Sequence, residues 1–245
     1  MMYLKFFVFV LAFCFTAVSF ADNQPQNEKQ IEKAEKREFK PSPEMLAAMK
    51  DPKVASVDNL TQSERVIKYL RSGFIHIIPE GIDHILFILG LFFSTVLFSK
   101  LVWQVTMFTL AHTITLALAT LGIVQVSAAI VEPLIALSIA YIAFENIKNH
   151  ETGKGRLAII FIFGLLHGLG FAYVLAEYGL STQSLATSLI AFNVGVEIGQ
   201  LTVLALAWVL LYRASKWPSY RAFIQVPASL VIGAVGLFWT IERLI

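Results

Sequence analysis

The chain has 245 residues, of which 57% are hydrophobic and only 15% are charged, and its formal net charge is +2. With a mean hydropathy of +0.69, this composition excludes an ordinary soluble domain and indicates a membrane protein. The small net charge also argues against nucleic acid as a partner, because nucleic-acid-binding proteins present a concentrated basic face.

The first 21 residues have the pattern of a secretory signal peptide. Lys5 supplies a positive charge, Phe6–Ala17 forms an apolar core, and small residues precede a cleavage position after Ala21. A retained first anchor helix is the alternative, because a single lysine is a weak charged region. Cleavage would remove Cys14, the only cysteine, and would exclude disulfides, thiolate metal ligands and cysteine nucleophiles from the mature protein.

Residues 22–72 differ in composition from the rest of the chain, since they are rich in charged residues and proline. The first part of this segment is expected to be solvated and flexible. A short helix is predicted near 61–71, because Thr61 and Glu64 fit a capping box at its start. One face of this helix is apolar and would rest on the membrane surface or on the bundle. The segment would serve as a periplasmic stalk or as a surface for a protein partner.

Six hydrophobic segments follow within residues 73–245, and each is near the 20 residues that an α-helix needs to cross a bilayer. The segments are 74–98, 101–122, 128–147, 156–177, 184–211 and 222–241. The loops between them are short. The sequence therefore predicts an all-α membrane domain, a single bundle of about six transmembrane helices in contact with the lipid bilayer.

The charges in the loops predict how the bundle is oriented. If the signal peptide is cleaved, loops one, three and five face the cytoplasm. Their basic residues are Lys100, Lys148, Lys154, Arg156, Arg213, Lys216 and Arg221. Loops two and four, at 122–127 and 178–183, contain none. This asymmetry follows the positive-inside rule, and it places the mature N-terminus in the periplasm and the chain in a bacterial inner membrane.

The first hydrophobic segment is unusual because it begins with several ionisable residues. Pro79 cannot continue a preceding helix but suits a first turn, so the main helix should begin near Pro79 after a short interruption. Glu80 and Asp83 would then lie where the helix dipole favours acidic residues. The break would let His76 fold back over Asp83 and His84, as interrupted helices do at transporter sites. Alternatively, these residues only line the periplasmic end in contact with water.

Further polar residues lie inside the later segments, and they are His112, Glu132, His167, Asn193, Glu197 and Gln200. Ionisable groups are costly in lipid, so they normally face the bundle interior and mark a functional site. Imidazoles and carboxylates without thiols suit Ni²⁺, Co²⁺ and Zn²⁺, whereas Cu⁺ prefers sulfur. The expected metal ligands are His76, Asp83, His84, His112, His167 and Glu197. The second-line candidates are Glu80, Glu132, Asn193 and Gln200.

Three functions fit these residues. The first is a permease in which the outer ligands capture a divalent metal and the ligands near the midplane carry it across, with no permanent cofactor and no P-loop motif for an ATPase. The second is an intramembrane hydrolase in which histidines hold Zn²⁺ with an open position for water. The third is a metal sensor or assembly partner that acts through residues 22–72. The bundle would work as a monomer or as a homo-oligomer.

Five blocks of the sequence resemble the HupE/UreJ family, in particular its divergent branch with a leading periplasmic segment. The blocks are GFIHIIPEGIDHILFILGL, FTLAHTITLAL, VEPLIALSIAYIAFEN, FGLLHGLGFA and FNVGVEIGQ, and they span most of Gly73–Gln200. The family comprises small bacterial membrane proteins that are associated with hydrogenase and urease systems and regarded as nickel or cobalt permeases. Its signature of a histidine, a short spacer and Asp-His falls on His76 and Asp83-His84. The resemblance therefore implies nickel or cobalt as the substrate.

Overall fold

The computed structural model of the protein describes residues 60–95, 97–121, 123–124, 126–148, 154–177 and 185–245. These ranges form seven α-helices: α1 Gln62–Ile77, α2 Ile82–Phe92, α3 Phe98–Thr120, α4 Ala128–Lys148, α5 Lys154–Glu177, α6 Leu185–Leu211 and α7 Val226–Glu242. A π-helical turn, Arg221–Gln225, leads into α7. No strand occurs in the described ranges, so the predicted all-α class is confirmed. The predicted signal peptide and most of the segment 22–72 lie outside the described residues.

Four helices are long and apolar enough to cross a membrane by themselves, namely α3, α4, α6 and α7 with its preceding turn. The pair α1 and α2 passes the same test when it is taken as one span with a bend of 68°. Helix α5 has 24 residues and contains a shorter apolar stretch, Gly155–Gly170. The last five predicted segments thus each correspond to one helix, and the first segment corresponds to a broken one.

Helix α1 begins where the sequence predicts it and ends later. Thr61 and Glu64 form the capping box, with the Thr61 amide donating to Glu64 Oε2 at 2.9 Å. The helix continues to Ile77 instead of stopping near residue 71, because its second half packs closely on α6. A Cβ atom at Gly195 of α6 would lie 2.0 Å from the Leu70 carbonyl oxygen. The sequence left open whether this helix rests on the membrane surface or on the bundle, and the structure shows it packed on the bundle.

The predicted break in the first span near Pro79 is confirmed, at residues 78–81, but the second helix begins later than the sequence predicts. The second helix starts at Ile82, with Gly81 as its N-cap, and not near Pro79. The amides of Glu80 and Gly81 donate to the carbonyls of Ile75 and Ile77, at 3.2 and 3.3 Å. Residues 78–81 thus cap the end of α1 before α2 can begin. Glu80 is an exposed turn residue, so its predicted place in a first helical turn is wrong, whereas Asp83 does lie in the first turn of α2.

Three tightly packed helix pairs surround α2: α3 with α5, α1 with α6, and α4 with α7. Each pair depends on a glycine that admits the neighbouring backbone. A Cβ atom added at Gly168 would lie 2.3 Å from the His112 carbonyl oxygen. One added at Gly236 would lie 2.7 Å from the Ala140 amide nitrogen. Gly168 and Gly195 each belong to a pair of glycines four residues apart, Gly164/Gly168 and Gly195/Gly199, and such small-residue pairs are typical of closely packed membrane helices. Helix α2 contacts α3, α4 and α6, and seven of its eleven residues are buried.

One end of the bundle, called the Arg156 end, is fastened by a polar network. Arg156 forms a buried ion pair with Glu145 and donates to Asn146 Oδ1 at 3.3 Å. Asn146 in turn donates to the Gly90 carbonyl of α2 at 2.7 Å. Arg221 donates to a carbonyl near the C-terminus of α4 at 2.8 Å. These bonds connect α2, α4, α5 and α7 at the end of the bundle where the sequence concentrates its basic residues.

Candidate metal centre

Three histidines from three helices converge inside the bundle. His76 lies in the last turn of α1, His84 in the first turn of α2, and His112 in the second half of α3. Each offers one ring nitrogen, and these atoms all lie within 4.8 Å of one another. The turn at residues 78–81 brings the first two together, with ring centroids 4.9 Å apart. The described residues contain no other such group of three or more histidine, cysteine or acidic side chains.

A fourth histidine borders this group, which we call the histidine cluster with His167 included. The His167 ring lies 5.0 Å from the His84 ring, centroid to centroid, and is buried. Phe108 packs against both rings, at 4.9 Å from His167 and 5.8 Å from His84. Phe87 adds a second aromatic wall 5.3 Å from His167. Phe87 and Phe108 therefore form an apolar wall on the His84 and His167 side of the cluster.

Hydrogen bonds on the far side of the rings fix which nitrogen faces the cluster. The His112 Nδ1 lies 3.2 Å from Asn193 Oδ1, and the Asn193 Nδ2 donates to the Leu189 carbonyl at 2.8 Å. Since the amide nitrogen is committed to a carbonyl, the amide oxygen faces His112 and accepts its Nδ1–H. The Nε2 atom then keeps a free lone pair, as in a metal-binding histidine.

His167 is held in the same way by a different acceptor. Its Nδ1 lies 2.8 Å from the Phe163 carbonyl oxygen, which can only accept, so Nδ1 carries the hydrogen. The Nε2 atoms of His84, His112 and His167 are buried and have no hydrogen-bond partner in the described residues. Unsatisfied buried polar atoms are rare in folded proteins. Several of them around one point fit a bound cation.

Asp83 does not join the histidines, although the sequence predicted that it would. Its carboxylate accepts two hydrogen bonds from Arg243, at 3.0 Å from Nη1 and 3.3 Å from Nη2. The same Nη1 donates to the Glu132 backbone carbonyl at 3.2 Å. This opposite end of the bundle, called the Arg243 end, thus connects α2, α4 and the C-terminus of α7. Arg243 was not among the predicted site residues, because nothing in the sequence associates it with Asp83.

The remaining predicted ligands form a separate polar seam between α3 and α6. Thr106 donates to Glu197 Oε1 at 2.7 Å, and Thr109 donates to Gln200 Oε1 at 2.8 Å. Glu197 is half-buried, Thr106 is exposed, and Gln200 is fully buried. Glu197 is therefore not part of the group formed by the first three histidines, and it lies closer to the outside of the bundle.

Comparison with protein families shows to which family the chain belongs. A family model described as HupE / UreJ protein matches residues 52–243, which include all seven helices. The chain belongs to the HupE/UreJ family. Searches of curated proteins and of solved structures returned no match. The family resemblance predicted from the five sequence blocks is thereby confirmed.

In this HupE/UreJ protein, the sequence blocks converge on the site. The first block supplies His76 and His84, and the blocks on α3 and α5 supply one histidine each. The block on α6 supplies Asn193, which orients His112. The block on α4 instead supplies parts of both bundle ends, through the Glu132 carbonyl and Asn146.

Proposed function

We propose that the protein is a permease for a divalent transition metal, nickel or cobalt in the first place, in a bacterial inner membrane. The observation that carries this proposal is the group of three histidine nitrogens within 4.8 Å inside a membrane bundle. Neutral imidazole nitrogens are good ligands for Ni²⁺, Co²⁺ and Zn²⁺. Membership in the HupE/UreJ family supports the choice of nickel or cobalt.

The position of the cluster suits a transport intermediate. His112 lies eight residues before the end of α3, a distance of roughly 12 Å along the helix axis. An ion bound there is therefore well inside a hydrocarbon core of about 30 Å. If the Arg243 end faces the periplasm, as the loop charges favour, the membrane potential pulls the ion onward. A divalent cation gains roughly 4.6 kcal/mol per 100 mV, twice the value for a single charge.

Uptake into proteoliposomes under an imposed inside-negative potential tests the proposal. We expect wild-type protein to accumulate Ni²⁺ and Co²⁺, and His84→Ala to abolish uptake while inserting normally. The matched control is His150→Ala, since His150 is the one histidine outside the predicted spans. Loss of uptake in both variants, or none in wild type, would contradict the proposal.

A second candidate function is an intramembrane zinc hydrolase. Three histidines around one point also match catalytic zinc sites, which hold the metal with three protein ligands and leave a position for water. The two functions differ in what happens to the ion. A hydrolase retains stoichiometric Zn²⁺ after purification and shows no potential-driven uptake, whereas a permease releases the ion into the vesicle lumen.

A further inference from the structure

Arg243 binds the residue that directly precedes a histidine of the cluster in the sequence. Its guanidinium binds Asp83 through two nitrogens, and Asp83 directly precedes His84. A two-point pair between arginine and a carboxylate is among the stronger hydrogen-bonded contacts in proteins. Both side chains keep contact with the surroundings, with 21% of Arg243 and 26% of Asp83 exposed. The pair is therefore held firmly but is not sealed inside the bundle.

The charges around Arg243 favour a cation at this position. The Asp83 carboxylate and the charges of Glu132 and Glu242 all act on the guanidinium. Because the guanidinium binds both carboxylate oxygens of Asp83, it neutralises that negative charge next to His84. Removal of the arginine would leave an uncompensated carboxylate beside four neutral imidazoles. A divalent ion would then find the negative charge that the histidines themselves do not provide.

We propose that Arg243 is an internal competitor of the transported metal: its guanidinium holds Asp83 until a divalent cation displaces it and passes on to the histidine cluster. The inference rests on the proposed transport function and adds a residue that sets metal affinity. Arg243 is the C-cap residue that follows Glu242, the last residue of α7, so its side chain can change rotamer without unfolding the helix. Asp83 is then a ligand of the arriving ion, as its position before His84 suggests.

Equilibrium binding of Ni²⁺ to the purified full-length protein separates competition from simple anchoring. If Arg243 competes, Arg243→Gln binds Ni²⁺ about tenfold more tightly than wild type, because a charge-assisted pair no longer has to break. Arg243→Lys keeps the charge but loses the two-point geometry, so its affinity lies between the two. Arg213→Gln, the same change at an exposed arginine of predicted loop five, is the matched control and leaves the affinity unchanged. If Arg243 only anchors α2, both arginine variants bind more weakly, which overturns the proposal.

A measurement on unmodified Arg243 does not depend on whether its variants fold. The guanidinium carbon lies 5.4 Å from the centre of the Trp239 ring, so release of the arginine alters the surroundings of that indole. Zn²⁺ is used because it does not quench fluorescence by paramagnetism. We expect a Zn²⁺-dependent change in emission that is lost in Trp239→Phe and in Asp83→Asn. Zn²⁺ binding without any change in Trp239 emission overturns the competitor role alone, whereas no metal binding at all overturns the proposed function.

Discussion

At the scale of single residues, Asn193 shows how a neutral side chain orients a candidate metal ligand. From the sequence alone, Asn193 is a second-line candidate, one of several polar residues inside the later segments. The structure assigns it the orientation of His112, through an amide that is itself fixed by the Leu189 carbonyl. Side chains that orient metal ligands typically change metal affinity 10- to 100-fold when removed.

Asn193→Leu should therefore weaken Ni²⁺ binding by roughly 10- to 100-fold, because the His112 ring loses its acceptor. The change is measured by calorimetric titration of purified protein. Thr202→Val on the same helix is the control, since the Thr202 hydroxyl only bonds the carbonyl of Ile198. An unchanged affinity in Asn193→Leu would show that Asn193 does not position His112.

Single residues also show how far the sequence could predict the site. Histidines in apolar segments stand out, because ionisable groups in lipid need a reason to be there. The structure brings all four of those histidines together. The pairing of Asp83 with Arg243 spans 160 residues and could not be predicted, since the sequence contains no distances. For the same reason, the sequence predicts Glu197 as a metal ligand together with the histidines, because its carboxylate can bind a metal, whereas in the structure it does not join them.

At the scale of elements, the position of α1 decides the geometry of the cluster. His76 is the residue before the last one of α1, so any shift of that helix moves the imidazole. The contact of α1 with α6 leaves no room for a side chain at Gly195. The glycine pair Gly195/Gly199 is typical of close helix packing, but a small-residue pair does not indicate which helix it meets.

Gly195→Ala should push α1 away from α6 and destabilise the protein by about 1–3 kcal/mol, the usual cost of overpacking. Metal affinity should fall as well, since His76 moves with the helix. Thermal unfolding in detergent and calorimetric titration measure the two effects. Gly155→Ala is the matched control, because no atom lies within 4 Å of the added carbon. Equal stability of the two variants would contradict the close contact.

At the scale of the whole molecule, the two ends of the bundle differ in their chemistry. The Arg156 end contains most basic residues of the loops, and the Arg243 end contains Asp83 and Glu132. Hydropathy predicted the helical nature of the segments, because a bilayer sets the length of apolar helices. It predicted about six spans, whereas four helices, or five with the bent pair, are long and apolar enough to cross a membrane in the described residues. The sequence predicted the break in the first span but not the start of α2, because backbone hydrogen bonds and not Pro79 determine where that helix begins.

The orientation of the bundle is testable by labelling single cysteines from outside the cell. We expect Ser181→Cys, in predicted loop four, to react with a membrane-impermeant thiol reagent in intact spheroplasts. Ser215→Cys, at the Arg156 end near Lys216, should react only after lysis. The positive-inside rule gives this direction. The reverse pattern would invert the proposed direction of transport.

The broken first span has a consequence for the speed of transport. Helix α2 is only about 16 Å long. Hydrogen bonds hold it at both ends, from Arg243 to Asp83 at one end and from Asn146 to Gly90 at the other. Under the proposed competition, each passing ion would break the Arg243–Asp83 pair, and the protein would restore it before the next cycle. The flux should therefore level off at high metal concentration and show the turnover of a carrier that resets, and not the ohmic current of an open pore.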